Sequence, residues 1–581
     1  RDATGAAGTT GAAVAAGPAG SAGAGASTPP DPADPADPAP TVRRRTLRLS
    51  LAELPSVRDH CVYLQPDDWP EDSDRFPVVP MTTMLELAAD AALHHAAPAA
   101  PAASAPPAAP AAPAAPPAPA RVVIGYDDVR ALRWLPVEPA VEIEVSTQEL
   151  APGRTRVRLG DCADVVVLTA PAHPAPPPAS AEPVRAEGPA PVSAQALYRD
   201  RWMFHGPRFA GVHEVTAVGE DGIRGVLRTL AAPGALLDAA GQLLGHWMQL
   251  RLPVDRLVFP ATVDRIRLHG PHPAPGTLLG ATARIREVRG LSVRGDVELR
   301  LPDGSVWARI DGWTYRRFAA DERVWPMKFT PEVCGIGEPR PEGWCVAHRR
   351  WTDPASQELV MRRYLGASER AVYEGLSPRA RNAWLLGRIA AKDAVRQLLW
   401  DRGAGPVFPA EVPVVSDRYG RPVPQGPLAS GVRLSLAHKD AVAVALAHPT
   451  EPVGIDVEPV TADPAALVRV ALGPGELAFA EELAAAEGLA LPAALTALWC
   501  AKEAAAKAAG SGLGGRPREW RVAAGPDPGV LRVSSPEGTA RLVRTTLLAA
   551  PDGRPGPDHV VAWTAVPAAR PVPLMESPHG I

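Results

Sequence analysis

The sequence predicts an α+β protein: a mostly antiparallel β region wound round two long helices, then a region in which helices pack on short strands. Three observations lead there. From about residue 121 to 320 apolar and polar residues alternate, the period of half-buried strands. Two stretches interrupt that alternation with helical spacing, "TTMLELAADAALHH" (82–95) and "LLDAAGQLLGHWMQL" (236–250). Beyond about 345, long helical runs take turns with apolar strands.

Each element has its own local reason. In "VEIEV", Val141, Ile143 and Val145 alternate with Glu, and in "TRVRL" Val157 and Leu159 alternate with Arg. "DVELRLPDGSVWARIDGW" predicts two strands joined at Asp303-Gly304, a hairpin signal. The order helix plus strands, given twice, predicts two copies of a long helix wrapped by an antiparallel sheet. "NAWLLGRIAAKDAVRQLLW" (382–400) has Leu385, Ile389, Val395 and Leu399 near helical spacing. "DAVAVALAHPTEPVGIDVEPV" predicts two strands around a Pro-marked turn, and "LPAALTALWCAKEAAAKAAG" (491–510) a helix ended by Gly510.

Length and composition bound the rest. The 581 residues make about three to five units on a soft prior of roughly 100–200 residues each. A net charge of −4, from 60 basic and 64 acidic residues, gives no polyelectrolyte signal for nucleic acid or an anionic membrane. Five scattered cysteines without a CxxC pair suggest a reducing compartment, neither a disulfide frame nor a zinc site. The chain opens with Arg1 and is expected to be a piece of a longer polypeptide. It shows no signal peptide and no long apolar span, so a cytoplasmic protein is expected.

Residues 1–45, rich in Ala, Gly and Pro, are expected to be a linker, and the Ala/Pro run around 96–120 a disordered surface loop. The folded regions are expected at 46–320 and 345–568, with a connector at 321–344 and a tail at 569–581.

"VGIDVEPV" (453–460) sets Asp456 and Glu458 two apart on a strand, so both carboxylates face one side. Their repulsion must be offset. Downstream, "LWCAKEAAAKAAGSGL" places Glu503 and Lys507 four apart on one helix face. Three carboxylates and a cation can hold a divalent metal and an anion, and Mg²⁺ typically shares oxygen ligands with substrate phosphates. The helix at 382–400 adds Arg388, Lys392 and Arg396 at i, i+4 and i+8, a basic stripe suited to an anion or to a solvated face paired with acids such as Asp393.

Together these residues resemble the Sfp-type 4′-phosphopantetheinyl transferases. The motif strand is Gly454-Ile455-Asp456-Val457-Glu458 and the motif helix runs from Trp499-Cys500-Ala501-Lys502-Glu503 to Lys507, with "GRP" (420–422), "SLAH" (435–438) and "GSGL" (510–513) as further matches over roughly 345–565. The resemblance implies a pseudo-twofold α+β fold and transfer of phosphopantetheine from coenzyme A to a carrier-protein serine. Asp456, Glu458 and Glu503 would hold Mg²⁺, Glu503 would also take the serine proton, and Lys507 would neutralise a phosphate oxygen. Arg388, Lys392, His438 and Lys502 are coenzyme-binding candidates.

The first region carries Asp59-His60 and a Pro ahead of a helix, then "YRDRWMFHGPRFAGV" (198–212) and "GALLDAAGQLLGHW" (234–247). These resemble the double-hotdog dehydratase domains of polyketide synthases over about 46–320. Two departures stand out: Leu64 where the pattern has Gly, and an insertion of about a dozen residues, "QPDDWPEDSDRF", before Pro80. The resemblance puts His60 and Asp238 at the catalytic positions, with Gln242 one turn on. His60 would be the base for the α-proton of a β-hydroxyacyl thioester. Asp238 would be the acid, provided burial keeps it protonated. No cofactor is required. His205 is expected to shape the acyl tunnel, and Trp499 to be core.

The order dehydratase then transferase is similar to the C-terminal end of enediyne-type iterative polyketide synthases. That implies loading of the protein's own carrier domain and dehydration toward a conjugated polyene, in an enzyme that could be a homodimer. Two other readings of the first region stay open in the sequence: a cyclising product-template-like domain, and a non-catalytic hotdog that docks the carrier.

Overall fold

The first sheet is long because two half-sheets meet edge to edge. A computed structural model describes residues 42–96, 121–550 and 556–565. The expected linker up to residue 41, the Ala/Pro loop beyond Ala96 and the tail at 569–581 lie outside the described residues. Val42 to Arg45, read as linker, instead open a strand.

The first half contains β1 (Val42–Leu49), α1 (Met81–Ala96), β2 (Val122–Ala131), β3 (Val141–Ala151), β4 (Arg154–Leu159) and β5 (Ala163–Ala170). The second contains α2 (Ala194–Arg199), β6 (Val212–Val218), β7 (Gly222–Arg228), α3 (Ala235–Arg251) and β8 (Leu257–Leu268). It closes with β9 (Leu278–Arg289), β10 (Ser292–Arg300) and β11 (Val306–Phe318). All eleven strands form one antiparallel sheet, in the order β1-β3-β4-β5-β2-β8-β11-β10-β9-β7-β6. β2 and β8 pair at the centre with Tyr126 opposite Ile266, so the halves share one sheet. Helix α1 packs on β2 to β5 and α3 on β6 to β10, which is the double-hotdog arrangement.

Alternation decides which residues enter the core. Ile143, Val145, Val157 and Leu159 are buried while the intervening Glu and Arg face water. The α3 face needs one special residue at its start. Gly234 has φ +78, and a Cβ there would sit 2.5 Å from the backbone of Thr82, so the helix can begin hard against α1.

The second region begins with β12 (Glu338–Pro339), inside the expected connector, and β13 (Trp344–His348). Next come α4 (Pro354–Tyr364), α5 (Ala367–Glu374), α6 (Pro378–Asp401), β14 (Val414–Ser416) and β15 (Pro422–Pro424). Then follow β16 (Arg433–Lys439), β17 (Val442–His448), β18 (Ile455–Pro459), α7 (Pro464–Ala471), α8 (Glu476–Glu487) and α9 (Leu491–Ala509). The last strands are β19 (Arg521–Ala524), β20 (Val530–Ser534), β21 (Ala540–Leu548) and β22 (His559–Thr564).

These make two α/β halves. Helix α6 packs on the sheet β12-β13-β17-β16, and α9 on the sheet β18-β22-β21-β20-β19. β17 and β18, read from sequence as strands around one turn, therefore belong to different sheets.

The halves repeat a buried device. Lys392 of α6 donates to Glu369 (2.5 Å) and to the carbonyls of Tyr364 (2.7 Å) and Pro409 (3.0 Å). Lys502 of α9 donates to Glu476 (2.6 Å) and to the carbonyls of Ala471 (2.8 Å) and Pro517 (3.1 Å). The second oxygen of each glutamate accepts from a strand amide, Val414 or Val522. One lysine per half thus ties the long helix, the end of a short helix, a 3₁₀ turn and a strand together. This pairing is the pseudo-twofold relation at the level of single atoms. Both ammonium groups are fully buried, so neither is available to a coenzyme. Arg396 is also buried, on Asp393 (2.8 Å) and the Val407 carbonyl (2.9 Å). The basic stripe is therefore internal wiring, with Arg388 as the exception described below.

The two regions share a core. One apolar cluster contains Tyr63, Phe76, Val78 and Phe259 from the first together with Trp351, Leu359, Tyr364 and Leu385 from the second. The insertion after His60 makes the polar part of this joint. Asp74 is ion-paired with Arg370 (2.5 Å), Ser73 accepts from the same guanidinium (2.7 Å), and the Tyr63 hydroxyl donates to the Leu359 carbonyl (2.9 Å). Arg362 stacks 3.8 Å over Phe76. Among the described residues no single helix is long and apolar enough to cross a membrane.

Candidate active sites

The loop before α1 and the N-terminus of α3 bring the first site together. Asp59 holds two strangers in sequence: its carbonyl accepts from Gly206 N (2.7 Å) and its carboxylate from Arg208 N (2.8 Å). That brings the "FHGPRF" loop onto the residue next to His60. The two imidazole centroids are 5.0 Å apart. His60 Nδ1 lies 2.8 Å from the Val78 carbonyl oxygen. A carbonyl can only accept, so Nδ1 carries the hydrogen and Nε2 is left as a free base.

Asp238 stands in the first turn of α3. Its Oδ2 is 3.1 Å from His205 Nε2 and accepts from Gln242 Nε2 at 2.7 Å. Gln242 is itself fixed, donating to the Phe209 carbonyl and accepting from the Tyr198 hydroxyl, both at 2.7 Å. Ligand atoms of His60, His205 and Asp238 all fall within 4.8 Å of one another.

Electrostatics correct one expectation. Burial alone would raise the Asp238 pKa, but the charge and hydrogen bond of His205, the charge of His60 and the Gln242 bond hold it below the ordinary value. Asp238 is thus a carboxylate, and burial does not keep it protonated. His205, expected to shape the tunnel, is its hydrogen-bond partner. Only His205's neighbourhood in space, not its motif spacing, reveals that role. Burial and the His205 charge lower the His60 pKa to about 4. The insertion leaves His60 in place, because the Val78 contact and the Cys61–Pro77 bridge close the loop behind it.

The second site lies on the seam between the α6 and α9 halves. Gly454 permits it: a Cβ there would lie 1.8 Å from the Ala504 carbonyl oxygen. The bare backbone lets β18 lie directly on α9, which sets Asp456 beside Lys507. Ser435 of "SLAH" accepts from Ile455 N (3.1 Å), tying β16 to β18 across the seam.

Each strand carboxylate has a lysine. Lys507 Nζ is 2.7 Å from Asp456 Oδ1, and Lys439 Nζ is 2.9 Å from Glu458 Oε2. The repulsion that the sequence posed is offset by these two cations. Asp456 Oδ2, however, is buried without a hydrogen-bond partner. Burial raises the Glu503 pKa, as do the charges of Asp456 and Glu458, against the lowering effect of Lys507. Among the described residues Asp456, Glu458 and Glu503 do not lie close enough together to form one ligand set, so a hard divalent cation would start from the open Asp456 oxygen and the raised Glu503 carboxyl.

His438 and Arg388 complete the rim. Burial, then the Lys507 charge, lowers the His438 pKa, and Arg388 and Lys439 add to it. Arg388 stacks 4.4 Å from Trp384 with its Nε buried and unpartnered. The structure thus gathers Asp456, Glu458, Glu503, Lys507, His438 and Arg388, and excludes Lys392 and Lys502. Trp499 is half-buried against the α9 core.

Comparison with known proteins divides along the same lines. Residues 176–323, which include His205 and Asp238, match the family model described as polyketide synthase dehydratase N-terminal domain. Residues 452–550 match the 4′-phosphopantetheinyl transferase superfamily. A holo-[acyl-carrier-protein] synthase of Exiguobacterium sibiricum is 32% identical over 89 residues, 15% of this chain and 70% of its own length. Among solved structures, the dehydratase domain of PpsC from Mycobacterium tuberculosis in complex with C12:1-CoA is 18% identical. It covers 48% of this chain and 96% of its own, with a TM-score of 0.35. GphF dehydratase 1 is 17% identical over 48% of this chain and 96% of its own, with a TM-score of 0.35. The dehydratase domain of a mycocerosic acid synthase-like polyketide synthase is 17% identical over 47% and 91%, at 0.34.

Proposed function

Because this chain belongs to the 4′-phosphopantetheinyl transferase superfamily and carries a polyketide synthase dehydratase domain ahead of it, we propose that it both loads a carrier protein and dehydrates what the carrier bears. In this reading it is the C-terminal part of an enediyne-type iterative polyketide synthase, working in the cytoplasm on a carrier of the same polypeptide and leading to a conjugated polyene.

In the transfer, the carrier serine oxygen forms a bond to the pantetheine-side phosphorus of coenzyme A, and the bond to the adenosine bisphosphate leaving group breaks. Glu503, whose raised pKa makes it the more basic carboxylate, takes the serine proton. Arg388 and His438 face the phosphates from the α6 side. Mg²⁺ held by Asp456 and Glu503 would neutralise charge on the pyrophosphate oxygens. The observation that carries this reading is the unpartnered Asp456 Oδ2 beside Lys507.

In the dehydration, His60 Nε2 removes the α-proton of the thioester. The proton shared by His205 and Asp238 goes to the departing β-hydroxyl, which leaves as water. The closed set His60, His205, Asp238 and Gln242 supports catalysis over a scaffold that merely docks.

Intact-mass measurement of an apo carrier with coenzyme A and Mg²⁺ tests the first activity. A gain of one phosphopantetheine is expected, absent with Asp456→Ala and Glu503→Gln; no gain with the folded wild type and its cognate carrier would refute it. Conversion of a β-hydroxyacyl carrier to the enoyl product, lost in His60→Ala, tests the second. Undiminished conversion by that variant would count against His60 as the base.

A further inference from the structure

The His60–Asp238 cavity, about 890 Å³, is walled partly by the transferase half. Arg363 of α4 and Lys328 of the segment before β12 line it alongside Arg201 of the first region. These three cations are bound into one cluster by backbone. Lys328 Nζ donates to the carbonyls of Arg201 (3.1 Å) and Trp202, and Arg363 donates to the carbonyl of Met327, the residue next to Lys328.

The cluster differs from the other cations on the wall in making no ion pair. Arg362 is paired with Glu358, Arg316 with Asp353 and Arg133 with Asp161. Among the described residues Arg201, Lys328 and Arg363 make no ion pair. Glu332 is the acid near enough to act on Arg201, and it does so without reaching ion-pair distance. Arg201 also has a buried Nε with no partner and a left-handed backbone, φ +59, unusual for a long side chain. Burial and mutual repulsion depress the pKa values of Lys328 and Arg201, the latter to about 10. Three crowded, partly dehydrated cations are costly unless an anion joins them.

Helix α3 gives the spacing. Asp238 lies in its first turn and Gln249 in its last, both on the cavity wall. At 1.5 Å per residue they are about 16 Å apart along the axis. Lys328 acts electrostatically on His246, one turn before that far end. His246 is eight residues, about 12 Å along the axis, beyond Asp238, so the cluster and the reacting centre line one cavity at different levels of α3.

We propose that Arg201, Lys328 and Arg363 bind the phosphodiester of the phosphopantetheine arm while its thioester reaches His60, so that the transferase half completes the dehydratase's substrate channel. This rests on the dehydratase reading above. Arginine's planar fork suits a phosphate, and a long arm with an anion at one end suits the distance.

The test uses the full chain and two substrates, the β-hydroxyacyl thioesters of 4′-phosphopantetheine and of pantetheine. The wild type is expected to prefer the phosphorylated one by on the order of tenfold or more in kcat/KM, chiefly through KM. In R363Q, and separately in K328Q, that ratio is expected to collapse towards unity. Because each ratio is internal to one variant, loss of folded protein moves both substrates alike. A wild-type ratio near unity, or a ratio that survives both substitutions, overturns the inference while dehydration itself stands. Failure of the wild type to dehydrate either thioester would remove the dehydratase reading and the inference together.

Discussion

In the proposed dehydration His60 would act as a neutral base, because its surroundings refuse a second proton. Its pKa of about 4, set first by burial and then by His205, lies below the ordinary 6.5. Acidification therefore leaves Nε2 free until about pH 4, and the acid limb of kcat/KM for dehydration is expected there; a limb at 6.5 would remove His60 from this role. The sign for stability follows the same shift. Between about 4 and 6.5 the unfolded chain binds the proton better, so the contribution of the neutral residue is full above 6.5 and is lost as pH falls through that window. His246, also lowered to about 4 mainly by burial, acts in the same direction. Thermal unfolding between pH 7 and 4 measures the sum. His205→Phe keeps a ring but no proton, and is expected to lower dehydration kcat by roughly 10²–10⁴-fold with little change in KM. His60 and Asp238 are legible in the sequence because their motifs carry them. His205 is not, because its partner Asp238 is 33 residues away and the contact is made by the Asp59 bonds across a third loop.

At the scale of elements, the two lysine devices separate packing from binding. Lys392→Met and Lys502→Met each leave a glutamate buried and uncompensated, a loss of about 3–5 kcal/mol. Urea unfolding should show it, with the KM for coenzyme A little changed in the folded fraction. A large rise in KM at intact stability would return these lysines to the coenzyme site. Gly454→Ala must push β18 off α9, since its Cβ meets the Ala504 carbonyl; about 1–3 kcal/mol of destabilisation and a larger loss of transfer are expected, by urea titration and mass gain. Periodicity explains what was readable here. A helical repeat tells which residues share a face, as Arg388, Lys392 and Arg396 do, but not whether that face meets solvent, a ligand or another helix. Likewise β17 and β18 announce themselves as strands by composition. Their sheet partners, β13 with β16 and β22, are set by long-range pairing that a local window does not contain.

At the scale of the whole molecule, the insertion after His60 joins the two regions through a buried ion pair. Arg370→Ala strands Asp74, which is 3% exposed, and is expected to cost about 3–5 kcal/mol. Because one apolar cluster spans both regions, dehydration and transfer activities should disappear at the same denaturant concentration. Two separated transitions would show that the regions fold independently. This joint bears on how such synthases can be recombined. An engineer who grafts the dehydratase alone, cutting near residue 320, would carry away the half of a clasp whose other half stays behind, and would leave Tyr63 and Phe76 facing water. The unit of exchange is the pair, and a natural recombination that kept both activities would find its workable crossover points outside residues 42–565.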